Sequence, residues 1–176
     1  MKKLISFDIG IINPSYSIFS FDEYDIYNVV VIKDQWKVFN KEILENIINT
    51  YEIITEDIVI IEQQIGSKYI KLMAYIKGYF EGKGFINVNI VRPFTHSMGL
   101  KNYKERKSYS IQLFTNFLNY NNIKLATKLS KLDDVSDSFN LGILYIAKMK
   151  KKFNKLNSES LLYFLNNIKI NKFELK

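Results

Sequence analysis

Four acidic side chains, Asp8, Glu62, Asp134 and Asp137, stand where carboxylates can do chemistry. Asp8 ends the apolar run Leu4-Ile5-Ser6-Phe7 and is followed by Gly10 and the pair Asn13-Pro14. A strand running into a turn holds its last side chain at a sheet edge with little freedom. A carboxylate held there is a common ligand for a hard divalent cation. Glu62 directly follows Ile58-Val59-Ile60-Ile61, a continuous β-branched run that suits a central strand covered on both faces. A charge at such an edge is costly unless it is solvated or paired. Asp134 and Asp137 are three residues apart, close to one helical turn, so both carboxylates face the same way. Each position has a plain structural alternative: an acid before a turn, a strand leaving for solvent, acids complementing a helix N-terminus. The helix dipole accounts for Asp133 and Asp134 better than for Asp137, which lies further in, where the effect fades.

Should Asp8 and Glu62 occupy neighbouring strand ends, with the helix packed across them, four carboxylates converge and repel one another. Two Mg²⁺ ions about 3.5–4 Å apart would neutralise such a cluster and suit phosphodiester hydrolysis, one activating water and the other stabilising the leaving 3′ oxygen. No histidine base or serine nucleophile is then required. With His96 the only histidine and no cysteine, the chain offers neither a multi-histidine nor a thiolate site, and disulfides are excluded.

The elements that must position these acids follow from periodicity. Three β-rich runs, around Leu4–Phe7, Tyr16–Phe21 and Ile26–Lys33, are joined by short turns and predict an antiparallel meander. Asn40 can cap a helix whose apolar stripe is Ile43, Leu44, Ile47 and Ile48. After the strand at Ile58–Ile61, Ser67 is expected to cap a helix reaching Gly82, with Tyr69, Leu72, Met73, Ile76 and Phe80 on one face. That face suits either the sheet or a dimer interface. A strand at Val88–Val91 follows, then a helix carrying Ile111, Phe114, Phe117 and Leu118, and a helix from about Asp133 to Met149. Residues 150–176 are expected to form a helical tail, with Leu161, Leu162, Phe164, Leu165 and Ile168 as its stripe. The order predicts an α/β fold, a mixed sheet of three antiparallel strands then parallel strands, flanked by helices.

The 176 residues are read as one domain, and 47% hydrophobic content fits a packed core. No stretch approaches the roughly 20 apolar residues that span a bilayer, so no membrane partner is expected. Met1-Lys2-Lys3-Leu4-Ile5 imitates the head of a signal peptide, but the apolar run stops at Asp8. The net charge of +7 favours an anionic partner, nucleic acid first. Its candidate footprint is Lys101, Lys104, Arg106 and Lys107. Three of these begin a helix, where the dipole disfavours cations, so either bound phosphate or a solvated face accounts for them. The lysines from Lys148 to Lys155 end a helix, where cations are favourable, and read as solvated.

Three stretches together carry a resemblance: Ser6-Phe7-Asp8-Ile9-Gly10 with Asn13-Pro14, Ile61-Glu62-Gln63-Gln64, and Lys131-Leu132-Asp133-Asp134-Val135-Ser136-Asp137-Ser138-Phe139-Asn140-Leu141. In that order they resemble the acidic motifs of RuvC-type Holliday junction resolvases, the poxvirus branch in particular. The resemblance spans about residues 4 to 149. It implies an RNase H-like fold, a homodimer, and paired Mg²⁺-dependent nicks in a four-way DNA junction, with Mn²⁺ able to substitute. By motif position it makes Asp8, Glu62, Asp134 and Asp137 the metal-binding catalytic acids. Asp133 falls outside the D-x-x-D spacing. A poxviral setting implies an intracellular protein at cytoplasmic replication sites. Alternatives within the fold are a nuclease for other branched DNA or RNA–DNA hybrids, and a non-catalytic junction binder. Asp8-Ile9-Gly10 is also similar to the first phosphate loop of sugar-kinase and actin-like ATPases. Those proteins need a second domain and a glycine-rich adenosine loop, and this chain has seven glycines. No nucleotide cofactor is expected.

Overall fold

A computed structural model describes residues 1–10, 14–22, 26–33, 39–93, 100, 102–124, 132–149 and 170–175. The strands are β1 (Lys2–Asp8), β2 (Ser15–Phe21), β3 (Ile26–Lys33), β4 (Ile58–Glu62), β5 (Asn87–Val91) and β6 (Ile170–Leu175). The helices are α1 (Lys41–Thr50), α2 (Ser67–Gly82), α3 (Tyr103–Tyr120) and α4 (Leu132–Met149). Six strands form one sheet in the order β5-β4-β1-β2-β3-β6. The meander β1-β2-β3 is antiparallel, while β4 joins β1, and β5 joins β4, in parallel. This is the expected mixed sheet.

Side chains alternate across a strand, and the alternation sorts the core into two layers. Ile5 and Phe7 of β1, with Val59 and Ile61 of β4, pack beneath Leu44 and Ile47 of α1 and Leu72, Ile76 and Phe80 of α2. Leu4, Ile58 and Ile60 face the other way, toward α3 and α4. The predicted stripe of α2 is therefore sheet packing, since Leu72, Ile76 and Phe80 are buried. Its exposed large apolar residues are Ile70 and Tyr75, on other faces of the helix. Asn40 caps α1 as expected, accepting from the Ile43 amide at 2.9 Å. Ser67 does not cap α2. The cap is Gly66, whose φ of 107° is open to glycine, and Ser67 is the first helical residue.

α4 lies close against the sheet because Gly142 and small polar residues line the contact. A Cβ on Gly142 would collide with the ring of Phe19 and come within 2.8 Å of Ser6 Oγ. Ser6 Oγ donates to the Ser138 carbonyl at 2.6 Å, and Ser17 Oγ meets Ser138 Oγ at 2.9 Å. These bonds satisfy hydroxyls that are wholly buried.

The expected helical tail is corrected at its end: residues 170–175 form β6, paired in parallel with β3. The pairing covers the main-chain groups of β3's outer edge, and Phe173 packs on Phe114, Phe117 and Phe139 with ring centroids 6.2–6.3 Å apart. A long-range edge and an aromatic pocket outweigh the local helical pattern. The stripe from Leu161 to Ile168 lies outside the described residues.

Candidate functional site

Register and parity bring the acids together. Phe7 of β1 stands beside Ile61 of β4, so Asp8 and Glu62, the next residues, are neighbours at the ends of parallel strands. Asp8 shares the parity of Leu4 and Ser6, and Glu62 that of Ile58 and Ile60, so both turn toward the α3/α4 layer. Asp134 and Asp137 enter the same space from the first turns of α4. Ser15, opposite Asp8 on β2, donates from Oγ to the Asp134 carbonyl at 2.6 Å and fixes the start of α4 over the strand ends.

Asp8 is buried, and its carboxyl is held well above the usual carboxylate range, first by burial, then by the charges of Glu62 and Asp137. Glu62 is part-buried and pushed up to about 7, by burial and by Asp137, against the pull of a hydrogen bond with Asp8. Gln64 Nε2 also donates to Glu62 Oε2 at 2.6 Å. Burial likewise raises Asp137, against the opposing pull of Lys107 and Ser110. Carboxylates that raise one another in this way share too few counter-charges, and a proton or an external cation relieves them.

One cation is built in. Lys107 of α3 reaches into the site and pairs with Asp137 Oδ2, with Asp133 Oδ2 at 3.9 Å. Burial alone would lower its ammonium pKa; attraction to Asp137 and Asp8 outweighs that and holds it above its ordinary value. Sequence reading grouped Lys107 with Lys101, Lys104 and Arg106 as a DNA-binding set. The structure separates it: Lys104 is exposed and Arg106 half-exposed at the start of α3, while Lys107 turns inward, and Lys101 lies outside the described residues. The signal was present in the sequence. Lys107, Ser110, Phe114 and Phe117 follow helical spacing, so Lys107 continues the inward stripe. Ser110 was also missed; its Oγ donates to Asp137 Oδ1 at 2.5 Å.

The donors are all carboxylate oxygens, as Mg²⁺ or Mn²⁺ prefers, and their mutual repulsion exceeds what Lys107 offsets. The donor chemistry therefore fits a divalent cation. Among the described residues, no three acidic or histidine side chains converge closely enough to hold one metal ion as they stand. Here Lys107 pairs with Asp137, and Gln64 donates to Glu62. Also among the described residues, no helix is long and apolar enough to cross a membrane.

Residues 3–151 match the family model described as Poxvirus A22 protein. A Holliday junction resolvase of Fowlpox virus (strain NVSL) is 34% identical over 156 residues, covering 85% of this chain and 95% of that relative. The crystal structure of the fowlpox virus Holliday junction resolvase superposes with a TM-score of 0.67 at 31% identity, covering 84% of this chain and 99% of that one. A fowlpox virus resolvase in complex with substrate Holliday junction DNA gives a TM-score of 0.67 at 29% identity, covering 84% of this chain and 98% of that one. The family match ends at residue 151, so β6 lies beyond it.

Proposed function

This chain belongs to the Poxvirus A22 protein family, and on that premise we propose that it is a Holliday junction resolvase, a structure-selective endodeoxyribonuclease. The observation that carries the reading is the meeting of Asp8, Glu62 and Asp137 from three separate elements, each carboxyl raised by burial and by its acidic neighbours. Asp8, Glu62, Asp134 and Asp137 would hold two Mg²⁺ ions, or Mn²⁺ in their place. Bound there, the ions supply the charge that activates water and stabilises the leaving 3′ oxygen.

The chain's own residues do the rest. Burial of Asp8 and the hydrogen bonds from Gln64 to Glu62 and from Ser110 to Asp137 hold the carboxylates near one another, and a cation entering there would draw them closer and displace Lys107 from Asp137. Lys107 pairs with Asp137, and were a cation to take that carboxylate, the ammonium would be left inside the site as a donor for the scissile phosphate. Lys104 and Arg106 flank it on α3 and provide phosphate contacts that position the strand. Lys101 belongs with them in sequence. A homodimer presents two such sites, matching the two-fold symmetry of a four-way junction and its paired nicks. Because the family is poxviral, its work belongs inside the infected cell, at cytoplasmic sites of viral replication.

The test is a labelled synthetic four-way junction incubated with the protein and Mg²⁺ beside a linear duplex competitor, with Asp8→Asn in parallel. Paired symmetric nicks in the junction, absent in Asp8→Asn although that variant still binds it, are expected. Cutting of duplex or RNA–DNA hybrid instead would keep the site and overturn the substrate. Tight junction binding with no cutting would make the chain a non-catalytic binder.

A further inference from the structure

We propose that Asn140 is a positioning residue which, acting through Ser110, fixes the direction of the Asp137 carboxylate and thereby tunes divalent-cation binding. The inference deepens the reading of the acids as a cation site and rests on it. Asn140 lies on α4 one turn beyond Asp137 and is almost wholly buried. Its amide nitrogen donates to the Ser110 carbonyl and to Ser110 Oγ, both at 2.9 Å. A carbonyl can only accept, so the NH₂ end of the amide must face Ser110, and the orientation of the side chain is settled.

That orientation sets the direction of the next bond. With one lone pair of Ser110 Oγ taken by Asn140, the hydroxyl hydrogen is free to point away, and Asp137 Oδ1 lies 2.5 Å off. Among the described residues the other acceptor within reach is Ser136 Oγ, at 3.4 Å, which itself donates to the Asp133 carbonyl at 2.8 Å. Donors thus run one way, from Asn140 to Ser110 to Asp137. Ser110 holds one oxygen of Asp137 and Lys107 the other, which fixes the carboxylate plane. When a cation replaces Lys107, the Ser110 bond alone keeps that plane. Groups hydrogen-bonded to a ligand in this manner orient it for its metal.

Packing alone does not call for an amide here. Asn140 Oδ1 is buried and has no hydrogen-bond partner among the described residues, a cost that a leucine of similar size would avoid. What the amide contributes is its donor pair, and that is aimed at Ser110.

The experiment is calorimetric Mn²⁺ titration of the full chain and of Ser110→Ala, Asn140→Leu and the double variant. Thermal melting and single-turnover junction cleavage accompany each. Either single variant is expected to weaken Mn²⁺ binding about 10-fold, the low end for lost second-layer partners. The double variant should bind no more weakly than Ser110→Ala alone, because the hydroxyl is the link from Asn140 to Asp137, whereas the bond to the Ser110 carbonyl persists in Ser110→Ala and does not reach the carboxylate. Asn140→Ala, which removes the donor pair without adding a charge, should lose as much affinity and replaces Asn140→Leu should that variant fail to fold. Unchanged Mn²⁺ affinity in the single variants, or losses that multiply in the double variant, would overturn the relay while leaving the nuclease reading intact. Absence of Mn²⁺ binding by the unsubstituted chain would overturn both.

Discussion

Removing divalent cations should make this fold more stable in mild acid than in mild base. Asp8, Glu62 and Asp137 all have folded-state pKa values raised by burial, with neighbouring acids adding to it. A group whose pKa is raised by folding binds its proton more tightly in the native state. Its contribution is therefore complete below the unfolded-state pKa and is lost as pH climbs through the folded value. For Glu62 that window runs from 4.5 to about 7. At about 1.4 kcal/mol per pH unit, the rise corresponds to roughly 3 kcal/mol. Solvent reaching the part-buried carboxylate trims this toward roughly 2 kcal/mol. Asp8 and Asp137 act with the same sign. Lys107 is also raised, but its contribution is lost only at strongly alkaline pH.

Urea denaturation of chelator-treated protein, followed by circular dichroism from about pH 5 to about pH 8.5, measures the effect directly. Stability should fall by roughly 2–3 kcal/mol across the window, and Mg²⁺ added at the basic end should restore most of it. Glu62→Gln, which keeps the shape and cannot ionise, should flatten much of the slope. A profile that stays level, or that rises with pH in the absence of cation, would refute the reasoning, because burial and the neighbouring acids would then not be raising these carboxyls in the native state.

Two further perturbations probe how the site is held. Gly142→Ala places a methyl group in the ring of Phe19 and forces α4 off the sheet. It should cost roughly 1–3 kcal/mol in denaturation, and Mn²⁺ affinity should drop with it, since Asp134 and Asp137 ride on the same helix. Phe173→Ala empties the contact with Phe114, Phe117 and Phe139. A loss of roughly 2 kcal/mol is expected for this part-buried ring. Size-exclusion chromatography should then show concentration-dependent association, as a loosened β6 uncovers the edge of β3.

How far the sequence reveals this molecule depends on whether the deciding interaction is local. The meander, β4 and the inward faces of α1 and α2 rest on period-2 and period-3.6 patterns that need only nearby residues, and each is found where expected. The acids were legible for the same reason. Asp8 and Glu62 end apolar strands, and Asp134 and Asp137 share a helix face, so parity alone sends them to one side of the sheet. β6 was not legible. The tail was expected to be helical from the spacing of Leu161, Leu162, Phe164, Leu165 and Ile168, a stripe that Ile170 does not continue. Only its pairing with β3, far away in the chain, makes it a strand. Lys107 shows the same limit in electrostatics. Beside Lys104 and Arg106 it reads as one more surface cation, and its inward turn becomes meaningful only once α4 brings Asp133 and Asp137 against it. The crowding of acids at the start of α4 did announce that a cation must offset them. It could not say that the first such cation is a lysine of the chain itself, which any divalent ion reaching Asp137 has to displace.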